Sequence, residues 1–587
     1  MNLPPEGLVK LKSGSYCFEM RINVPVIRTF LWLYCLLTLL LLVSCGKNQY
    51  TVFYGGPVLT MDQEFQSREN LCVIVKGERI ESVRPFDTID KSLFQKAQKV
   101  NLEGNFLMPG LIESHGHLLY LGQSLFGLNL RGIKTKKAVL EKIREHASSL
   151  KNGQWLLGRG WDQSNWSGQQ FPTAKDLDQI LPDKPAVLYR IGGHAAWLNS
   201  KALESAGIDA ATKDPDGGMI VRDSEGRPTG ILVDNAMNLV WKFVDATRSN
   251  NPVKALKAGQ AEAFRNGITT FNDLAFPSNR LYIYKWLYRL GILKINLHVY
   301  LQADEDLTDY VTQNPPTNTS NDRLTIGGIK VFLDGAMGSF GALLSEPYSD
   351  QPGSSGLQTT SDDTLIKIAG LAKENGYQLA VHAIGDLANS KTLNVFEKTI
   401  GNDSRHVYRW RIEHAQFLKP EAIKRIAQNQ YIPSMQPIHA TSDMKWVVSR
   451  LGAKRAQTTY AWRSLIEAGS IIAGGSDAPV EPINPFWGLY AAETRQDHFG
   501  RPAGGFIPQE RVTRSQALQM YTTWGAFAAF KENEIGRLKQ GYQADLVILD
   551  RDVSRVPAKD LLKTRVLRTY VRGEQVFGKV DLNPADN

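Results

Sequence analysis

The sequence predicts an α/β protein: a (β/α)8 TIM-like barrel with an insertion over its mouth, plus a small β-sandwich built from both chain ends. Between residues 109 and 530, apolar strand-like runs alternate with helix-length segments, which is typical of a (β/α) barrel. On both sides of this region, short apolar runs are separated by turn residues, as in antiparallel sheets. With 587 residues, of which 42% are hydrophobic, the chain is long enough for a barrel-sized core with attached units.

The two chain ends are predicted to share the sandwich. Residues 50–108 contain several strand-like runs, two of which are joined by a hairpin turn at Lys76-Gly77. Residues 531–587 repeat the pattern, with an apolar run at 545–550 and a turn at Gly573. We therefore expect the first segment to form the N-terminal part of the sandwich and the last segment its C-terminal part.

The barrel is predicted over residues 109–530. Nine runs are candidate strands: 111–114, 186–191, 268–272, 295–301, 324–333, 378–381, 410–412, 431–435 and 470–474. A barrel of eight needs one fewer. The second run lies within residues 120–255, a long segment whose middle is rich in Gly, Asp and Pro. We therefore assign the whole of 120–255 to an insertion folded over the barrel mouth.

Residues 1–44 are predicted to be a lipoprotein signal peptide. Arg21 and Arg28 precede an apolar run over 30–43, which is short for a bilayer span of about 20 residues, and the run ends in Leu-Val-Ser-Cys at Cys45. This ending resembles a bacterial lipobox, in which the cysteine is acylated. We expect an exported protein of the cell envelope, tethered to a bacterial membrane only through Cys45.

Charge and cysteine content exclude several classes of site. The net charge of +9 is spread thinly, without a dense basic block interleaved with aromatic residues, so nucleic acid is not an expected partner. After Cys45, Cys72 is the only other thiol. An internal disulfide and a cysteine-bound zinc cluster are therefore excluded from the exported chain.

Candidate metal ligands follow the predicted barrel strands. His115 and His117 alternate along the first strand, so their rings share a face about 7 Å apart along the backbone. Four more candidates belong to later strands: Lys330 lies within the strand at 324–333, and His382, His414 and Asp477 each end a strand. Singly, each has an ordinary alternative, such as a hydrogen-bonded histidine or a helix-capping aspartate. Together, at strand ends that meet in one pocket, they predict a shared site for zinc-like divalent ions. An amine beside cations fits only if Lys330 is carbamylated into a bridging anion.

The motifs resemble a known family. Pro-Gly-Leu-Ile-Glu-Ser-His-Gly-His at 109–117 and Gly-Tyr-Gln-Ala-Asp-Leu-Val-Ile-Leu-Asp at 541–550, with the order of the ligands, resemble the amidohydrolase superfamily. Gly-Gly-His at 192–194 and His-Ala-Ile-Gly-Asp at 382–386 are similar to the branch that includes N-substituted formamide deformylase. Most members have Asp at the position of Glu113, a change that keeps the carboxylate.

This resemblance implies two metal ions, expected to be zinc, and a role for each ligand. His115 and His117 would hold the more buried ion with Asp477, His382 and His414 the more exposed ion, and carbamylated Lys330 would bridge them. Asp477 would take the proton from a metal-activated hydroxide and pass it to the leaving amine. His194, in the insertion, would donate to the developing oxyanion or serve as a structural histidine of the lid.

Three further residues are predicted to shape the substrate pocket. Gln436 and His439 follow the seventh barrel strand, and Trp161 lies in the insertion, where aromatic clusters also serve simple packing. Asp386 has two alternatives: it orients a ligand imidazole or caps a helix.

The leading interpretation is a metal-dependent amidohydrolase acting on carbon–nitrogen bonds other than peptide bonds. Its expected small-molecule substrates are N-formyl or N-acyl amines and small or cyclic amides. The alternatives are a single-metal ring-amine deaminase, a non-catalytic ligand-binding lipoprotein, and a phosphoester hydrolase using the same metals. Lys330 argues against the deaminase, and the full ligand set argues against the binding protein. A homodimer stays open.

Overall fold

The computed structural model describes residues 7–13, 16–22, 50–62, 65–150, 154–247, 251–317, 323–401 and 405–579. Near the N-terminus, Gly7–Ser13 and Tyr16–Ile22 form a two-stranded antiparallel sheet. The predicted apolar run over 30–43 and Cys45 lie outside the described residues. Among the helices in the described ranges, none is both long and apolar enough to cross a bilayer.

Eight parallel strands form the barrel, and their order in the sheet follows their order in the chain. They are β1 Leu111–Gly116, β2 Ile268–Phe276, β3 Asn296–Gln302, β4 Leu324–Phe332, β5 Gln378–Ala383, β6 Arg411–His414, β7 Ile432–Met435 and β8 Ala473–Gly474. β1, β2 and β5 are buried along their whole length, as expected for strands covered on both faces. The barrel closes where the Asp477 amide donates to the His115 carbonyl at 2.7 Å. The predicted barrel fold is confirmed.

Helices surround the barrel. They are Leu118–Ser124, Pro252–Arg265, Leu281–Arg289, Leu307–Gln313, Asp362–Glu374, Asp386–Ile400, Arg405–Tyr408, Pro420–Asn429, Pro437–Asp443, Val447–Ala456, Trp462–Glu467, Pro485–Thr494, Arg514–Met520 and Thr523–Ala528. The first two pack unusually closely, because a Cβ at Gly122 would lie 1.8 Å from the Ala255 carbonyl oxygen. Only glycine permits this approach, which brings the end of the insertion back onto the barrel.

The segment between β1 and β2 carries a six-stranded sheet of its own. Its strands are Leu128–Asn129, Leu156–Trp161, Ala186–Arg190, Ala195–Leu198, Gly218–Arg222 and Pro228–Asp234, and its helices are Lys136–Ala147, Ala174–Asp178, Ser200–Ala206 and Asn238–Thr247. The candidate strand at 186–191 belongs to this sheet as Ala186–Arg190, which leaves eight candidates for the barrel. Leu156, Trp161 and Trp197 lie in a core separate from that of the barrel.

Two four-stranded sheets from both chain ends pack together. One contains Tyr50–Tyr54, Leu71–Lys76, Arg79–Pro85 and Gln98–Asn101; the other contains Phe106–Pro109, Leu546–Leu549, Val566–Val571 and Glu574–Phe577. The short helices Lys91–Lys96 and Ala558–Leu561 accompany them. Their shared core joins Phe53 to Tyr570, whose rings meet edge to face at 5.0 Å. These additional sheets agree with the predicted fold class.

Candidate active site

A cavity of about 780 Å³ opens at the carboxyl ends of the barrel strands, beneath the insertion. The barrel contributes His115, Lys330 and His382 to its wall, and the insertion contributes His194 and Trp241. Pockets of this size hold small organic molecules. The site therefore lies between a rigid barrel and a separate covering unit.

His115, His117 and Asp477 form a compact group of metal-ligating type. One donor atom from each lies within 4.8 Å of the others. Asp477 Oδ1 is 3.1 Å from His117 Nε2 and 3.6 Å from His115 Nε2. Two imidazoles and a carboxylate are a common zinc ligand set, so these three fit a divalent cation.

Three histidines are held with one ring nitrogen facing the cavity. In each, Nδ1 lies within hydrogen-bonding distance of an oxygen. His115 Nδ1 is 2.6 Å from Glu413 Oε2, and His117 Nδ1 is 2.8 Å from the Leu274 carbonyl oxygen. His414 Nδ1 is 2.8 Å from Gln436 Oε1. Nδ1 therefore donates, and Nε2 keeps the lone pair that a metal needs. Burial, reinforced by nearby positive groups, holds the pKa of His115 and of His414 well below the usual range, so both rings are neutral.

Asp477 remains ionised despite its burial. Burial raises the pKa of a carboxyl group, but the neighbouring His115 and His117 outweigh it and hold the pKa of Asp477 below its usual range. The carboxylate can therefore bind a cation or accept a proton at neutral pH.

Lys330 and His382 have buried polar atoms without a protein partner in the described part of the chain. Lys330 Nζ is fully buried and makes no hydrogen bond, and burial lowers the pKa of Lys330 to about 8. His382 Nδ1 has no partner either, and its ring lies 4.4 Å from that of His414 between centroids. Because buried polar groups are nearly always satisfied, these two atoms indicate a site that the described protein groups alone leave incomplete.

Glu413 and Arg411, two residues that the sequence analysis did not single out, hold His115 in place. Glu413 is itself held by Arg411, whose Nε and Nη2 donate to its carboxylate at 2.6 and 3.0 Å. Arg411 also donates to the Ser114 carbonyl at 2.7 Å, on the strand that carries His115. A sequence signal exists: two charged residues alternate along a short buried strand, so both point into the barrel.

Glu113 joins the first and last strands. Its carboxylate accepts from the Ser476 amide at 2.8 Å, the Ser476 hydroxyl at 2.6 Å and the His115 amide at 3.0 Å. Burial raises its pKa to about 8. The glutamate thus ties the loop carrying Asp477 to the strand carrying His115.

His194 belongs to the insertion and lines the cavity beside His382. Its Nδ1 is 2.8 Å from Asp234 Oδ1, and its ring centroid is 5.0 Å from that of His382. Asp234 is buried and adopts a φ of +49°, unusual for a residue other than glycine. A Cβ at Gly335 would lie 2.0 Å from Asp234 Oδ2, so the two loops are packed closely together.

The structure contradicts the predicted place of Trp161 at the substrate end. Its indole is fully buried in the insertion core and donates from Nε1 to the Leu188 carbonyl at 2.6 Å. Aromatic packing, not pocket lining, accounts for this side chain.

Gln436 and His439 lie behind the site. Gln436 is buried and holds His414, so its predicted contact with substrate is replaced by a positioning contact. His439 Nε2 lies 4.0 Å from Asp477 Oδ2, and His439 Nδ1 lies 3.1 Å from Gln416 Nε2. Neither residue lines the cavity as the described residues form it.

Asp386 lies away from the ligand imidazoles. It occupies the first turn of Asp386–Ile400, accepts from the Ser345 amide at 3.0 Å and lies 3.4 Å from the Lys419 ammonium. Of its two alternatives, orientation of His382 has no support in these contacts.

Comparisons with known proteins agree with this architecture. Residues 98–577 match the model of the amidohydrolase family. The chain is 33% identical over 537 residues to the putative amidohydrolase YtcJ of Bacillus subtilis, covering 90% of this chain and 99% of that protein. It is 27% identical over 514 residues to N-substituted formamide deformylase of Arthrobacter pascens, covering 86% and 94%.

A solved structure shows the same fold. The structure of an uncharacterized metal-dependent hydrolase from Pyrococcus furiosus matches with a TM-score of 0.67 and 28% identity, covering 86% of this chain and all of that one. The resemblance read from the motifs is therefore confirmed, and so is the prediction of a hydrolytic enzyme. The chain belongs to the amidohydrolase family and is a hydrolytic enzyme.

Proposed function

We propose that this enzyme hydrolyses carbon–nitrogen bonds other than peptide bonds in small molecules, with N-formyl or N-acyl amines and small or cyclic amides as substrates. The observation that carries the proposal is that Asp477, neutral histidines and Lys330 converge on one cavity. Lys330 Nζ has no hydrogen-bond partner among the described residues. Similarity to N-substituted formamide deformylase supports this bond type.

We further propose that the site takes two divalent cations, with zinc as the expected metal. The ligands would be His115, His117, Lys330, His382, His414 and Asp477. When bound, such cations would polarise a substrate carbonyl and lower the pKa of a water molecule. Neutral imidazoles with a free lone pair and an ionised carboxylate are the forms that bind a metal, and the contacts described above favour both.

Carbamylation of Lys330 is part of the proposal. A neutral amine can attack carbon dioxide, forming a carbamate with the release of one proton. Burial lowers the pKa of Lys330 to about 8, so a fraction of the side chain is a neutral amine at physiological pH. The carbamate would replace an isolated buried ammonium by an anion that cations on either side can hold.

Asp477 and His194 have different proposed roles in the reaction. Asp477 Oδ1, close to both His115 and His117, accepts the proton of the attacking water and delivers it to the leaving nitrogen. His194, whose ring is held by Asp234 Oδ1 at 2.8 Å from Nδ1, is the proposed donor to the developing oxyanion. Tyr189 and Trp241, which line the cavity, offer apolar surface to the substituent on the amide.

One alternative has an observation in its favour. Only His115, His117 and Asp477, among the described residues, form a group whose donor atoms all lie within 4.8 Å. A single cation held there would suit a ring-amine deaminase, in which Lys330 has no ligand role.

Metal content per chain, in wild type and in Lys330→Ala, separates these functions. Two zinc-like ions in the wild type, with loss in the variant, would support the bridged pair and hydrolysis of N-formyl and N-acyl amines in a substrate screen. One ion, unchanged by the substitution, together with ammonia release from ring amines, would overturn the proposal in favour of the deaminase. A chelator-treated sample is the control for metal-dependent turnover.

We also propose that the enzyme is exported and held in the cell envelope by a lipid on Cys45. The basic start, the apolar run over 30–43 and the Leu-Val-Ser-Cys ending support this. Mass spectrometry of the N-terminal peptide should find an acylated Cys45. Cys45→Ala should abolish acylation and thereby release the protein from the membrane. An unmodified Cys45 in the membrane-bound wild type would contradict the proposal.

A further inference from the structure

One barrel helix presents a largely apolar face to the outside. Leu281–Arg289 packs inward through Leu281, Tyr284 and Leu287. On its outer side, Tyr282, Trp286 and Leu290 follow one another every four residues and are 67%, 52% and 53% exposed. Side chains at this spacing lie in one row along a helix. We call Tyr282, Lys285, Trp286, Arg289 and Leu290 the aromatic face.

The charges of the aromatic face all have one sign. Lys285 and Arg289 are exposed beside Trp286, and residues 281–290 contain no acidic side chain. Tyrosine, tryptophan and leucine flanked by cations are typical of helices that lie at a membrane interface, where the rings sit at headgroup level. Anionic lipid headgroups would complement the two cations.

The chain outside the described residues limits how far the body can lie from a membrane. Four residues lie between the proposed lipid site Cys45 and Tyr50, where the described residues resume. Fully extended, this stretch spans about 17 Å. Tyr50 pairs with Lys76 where an inner strand of the first sandwich sheet begins, so this corner of the sandwich must stay close to the bilayer.

Ion pairs connect that corner to the aromatic face. Glu78, two residues after the partner of Tyr50, lies 3.3 Å from Arg572. Glu574, two residues further on, pairs with Lys294, which is four residues beyond the end of the aromatic face. These two ion pairs link the sandwich corner beside the tether to the chain that directly follows the aromatic face.

Resting on the proposed lipid anchor, we propose that the aromatic face lies in the headgroup region of the membrane that holds Cys45. The partner is a bilayer containing anionic phospholipid. Arg280, directly before this helix, lines the catalytic cavity. Contact through the aromatic face would therefore set the cavity mouth at a fixed height above the lipid surface, with the barrel lying on its side.

A second copy of the chain is the competing occupant. A twofold dimer through this face would bring Lys285 and Arg289 of both copies together, because an isologous interface pairs a patch with itself. Like charges in such a contact repel, whereas anionic lipid neutralises them. The bilayer is therefore the better complement.

The test uses the full-length lipoprotein reconstituted into vesicles of phosphatidylethanolamine and phosphatidylglycerol. A nitroxide is attached at Tyr282→Cys, and its collisions with oxygen and with a water-soluble nickel complex are measured by electron paramagnetic resonance. Val407→Cys is the matched control, because Val407 is 68% exposed and lies on the helix before β6, on a distant side of the barrel. Cys72 is buried, which limits background labelling.

We expect the label at 282 to lose most of its nickel collisions and to gain oxygen collisions in vesicles, while the label at 407 stays in water. The double substitution Lys285→Glu and Arg289→Glu should return the label at 282 to water. Equal water exposure at both labels would overturn the proposal. Protection of the label at 282 in detergent without vesicles, rising with protein concentration, would also overturn it and indicate a dimer. An absence of acyl groups on Cys45 would instead refute the anchor itself.

Discussion

The two halves of the catalytic site are held in different ways. In the half formed by His115, His117 and Asp477, ring nitrogens and carboxylate oxygens have protein partners within hydrogen-bonding distance. In the half formed by Lys330 and His382, Nζ and Nδ1 are buried without such partners among the described residues. The polar groups of the first half are satisfied by the protein, whereas those of the second half would be satisfied only by the proposed bound groups.

This difference has an energetic consequence. A buried donor or acceptor without a partner costs about 1–3 kcal/mol, and more when it is charged. That cost falls on the Lys330 half, so cations should stabilise the enzyme chiefly there. The His115 half should keep its geometry when the metal is removed, because Glu413 and the Leu274 carbonyl hold its rings.

Lys330→Ala should have the largest effect. It removes the proposed bridge, and several kcal/mol of transition-state stabilisation by the cations correspond to a fall of about 10³–10⁵-fold in kcat/KM. Metal analysis should show the loss of at least one ion, and added formate or acetate should restore part of the activity. Lys367→Ala, at an exposed position, is the control; full activity in Lys330→Ala would contradict a bridging role.

Asp477→Asn should lower kcat/KM by about 10²–10⁴-fold, the usual contribution of a positioned proton acceptor. The amide keeps the shape but cannot take a proton, so kcat should fall more than KM rises. Steady-state kinetics with an N-formyl amine provide the measurement, and Asp363→Asn at the surface provides the comparison. Retention of wild-type kcat would remove Asp477 from the reaction.

His194→Asn tests the insertion's share of the site. Loss of one oxyanion donor typically lowers kcat by about 10²–10³-fold. Metal content should remain at the wild-type level, because His194 is not among the proposed ligands. A parallel loss of metal would instead make His194 part of the cation site, and unchanged kinetics would leave it a structural residue of the lid.

Glu413→Gln probes the support of the better-held half. Partners that orient metal-binding histidines typically contribute 10–100-fold to metal affinity or activity, so a decrease of about that size is expected. Metal titration of the apoprotein measures it. The substitution also leaves Arg411 without its buried counter-ion, so thermal unfolding must be followed alongside, with Glu421→Gln as an exposed control.

Trp161→Phe should have the smallest effect on catalysis. Its kcat/KM should stay within about twofold, while the lost hydrogen bond and the cavity lower stability by about 1–3 kcal/mol. Trp241→Ala, at the cavity wall, should instead raise KM. A large KM effect from Trp161→Phe would restore Trp161 to the substrate site.

The fold was accessible from sequence because its signals are local. Alternating apolar runs indicate strands, and His115 with His117 share a face whatever the rest of the chain does. The extra run at Ala186–Arg190 resembles a barrel strand equally well, and only its position within a long segment separates it. The hydrophobic pattern of a run shows that it forms a strand, whereas the sheet that the strand joins depends on residues far away in the sequence.

The supporting residues were harder to find for the same reason. Glu413 acts on His115 from 298 residues away, and Gln436 turned out to hold His414 instead of substrate. Residue type cannot distinguish a side chain that faces the cavity from one that stands one layer behind it. Trp161 shows the same limit, since burial in a second core depends on the packing of the whole insertion.

The Glu113–Ser476 contact also bears on when the site comes into being. These partners are 363 residues apart, and they join a strand made early in synthesis to a loop made much later. Closing so long a loop is slow, so the pair of histidines exists for most of synthesis without its carboxylate. If the chain is exported before folding, the complete cation site is assembled only outside the cytoplasm. The metal supply of that compartment, and not of the cytoplasm, would then determine which ion the enzyme carries.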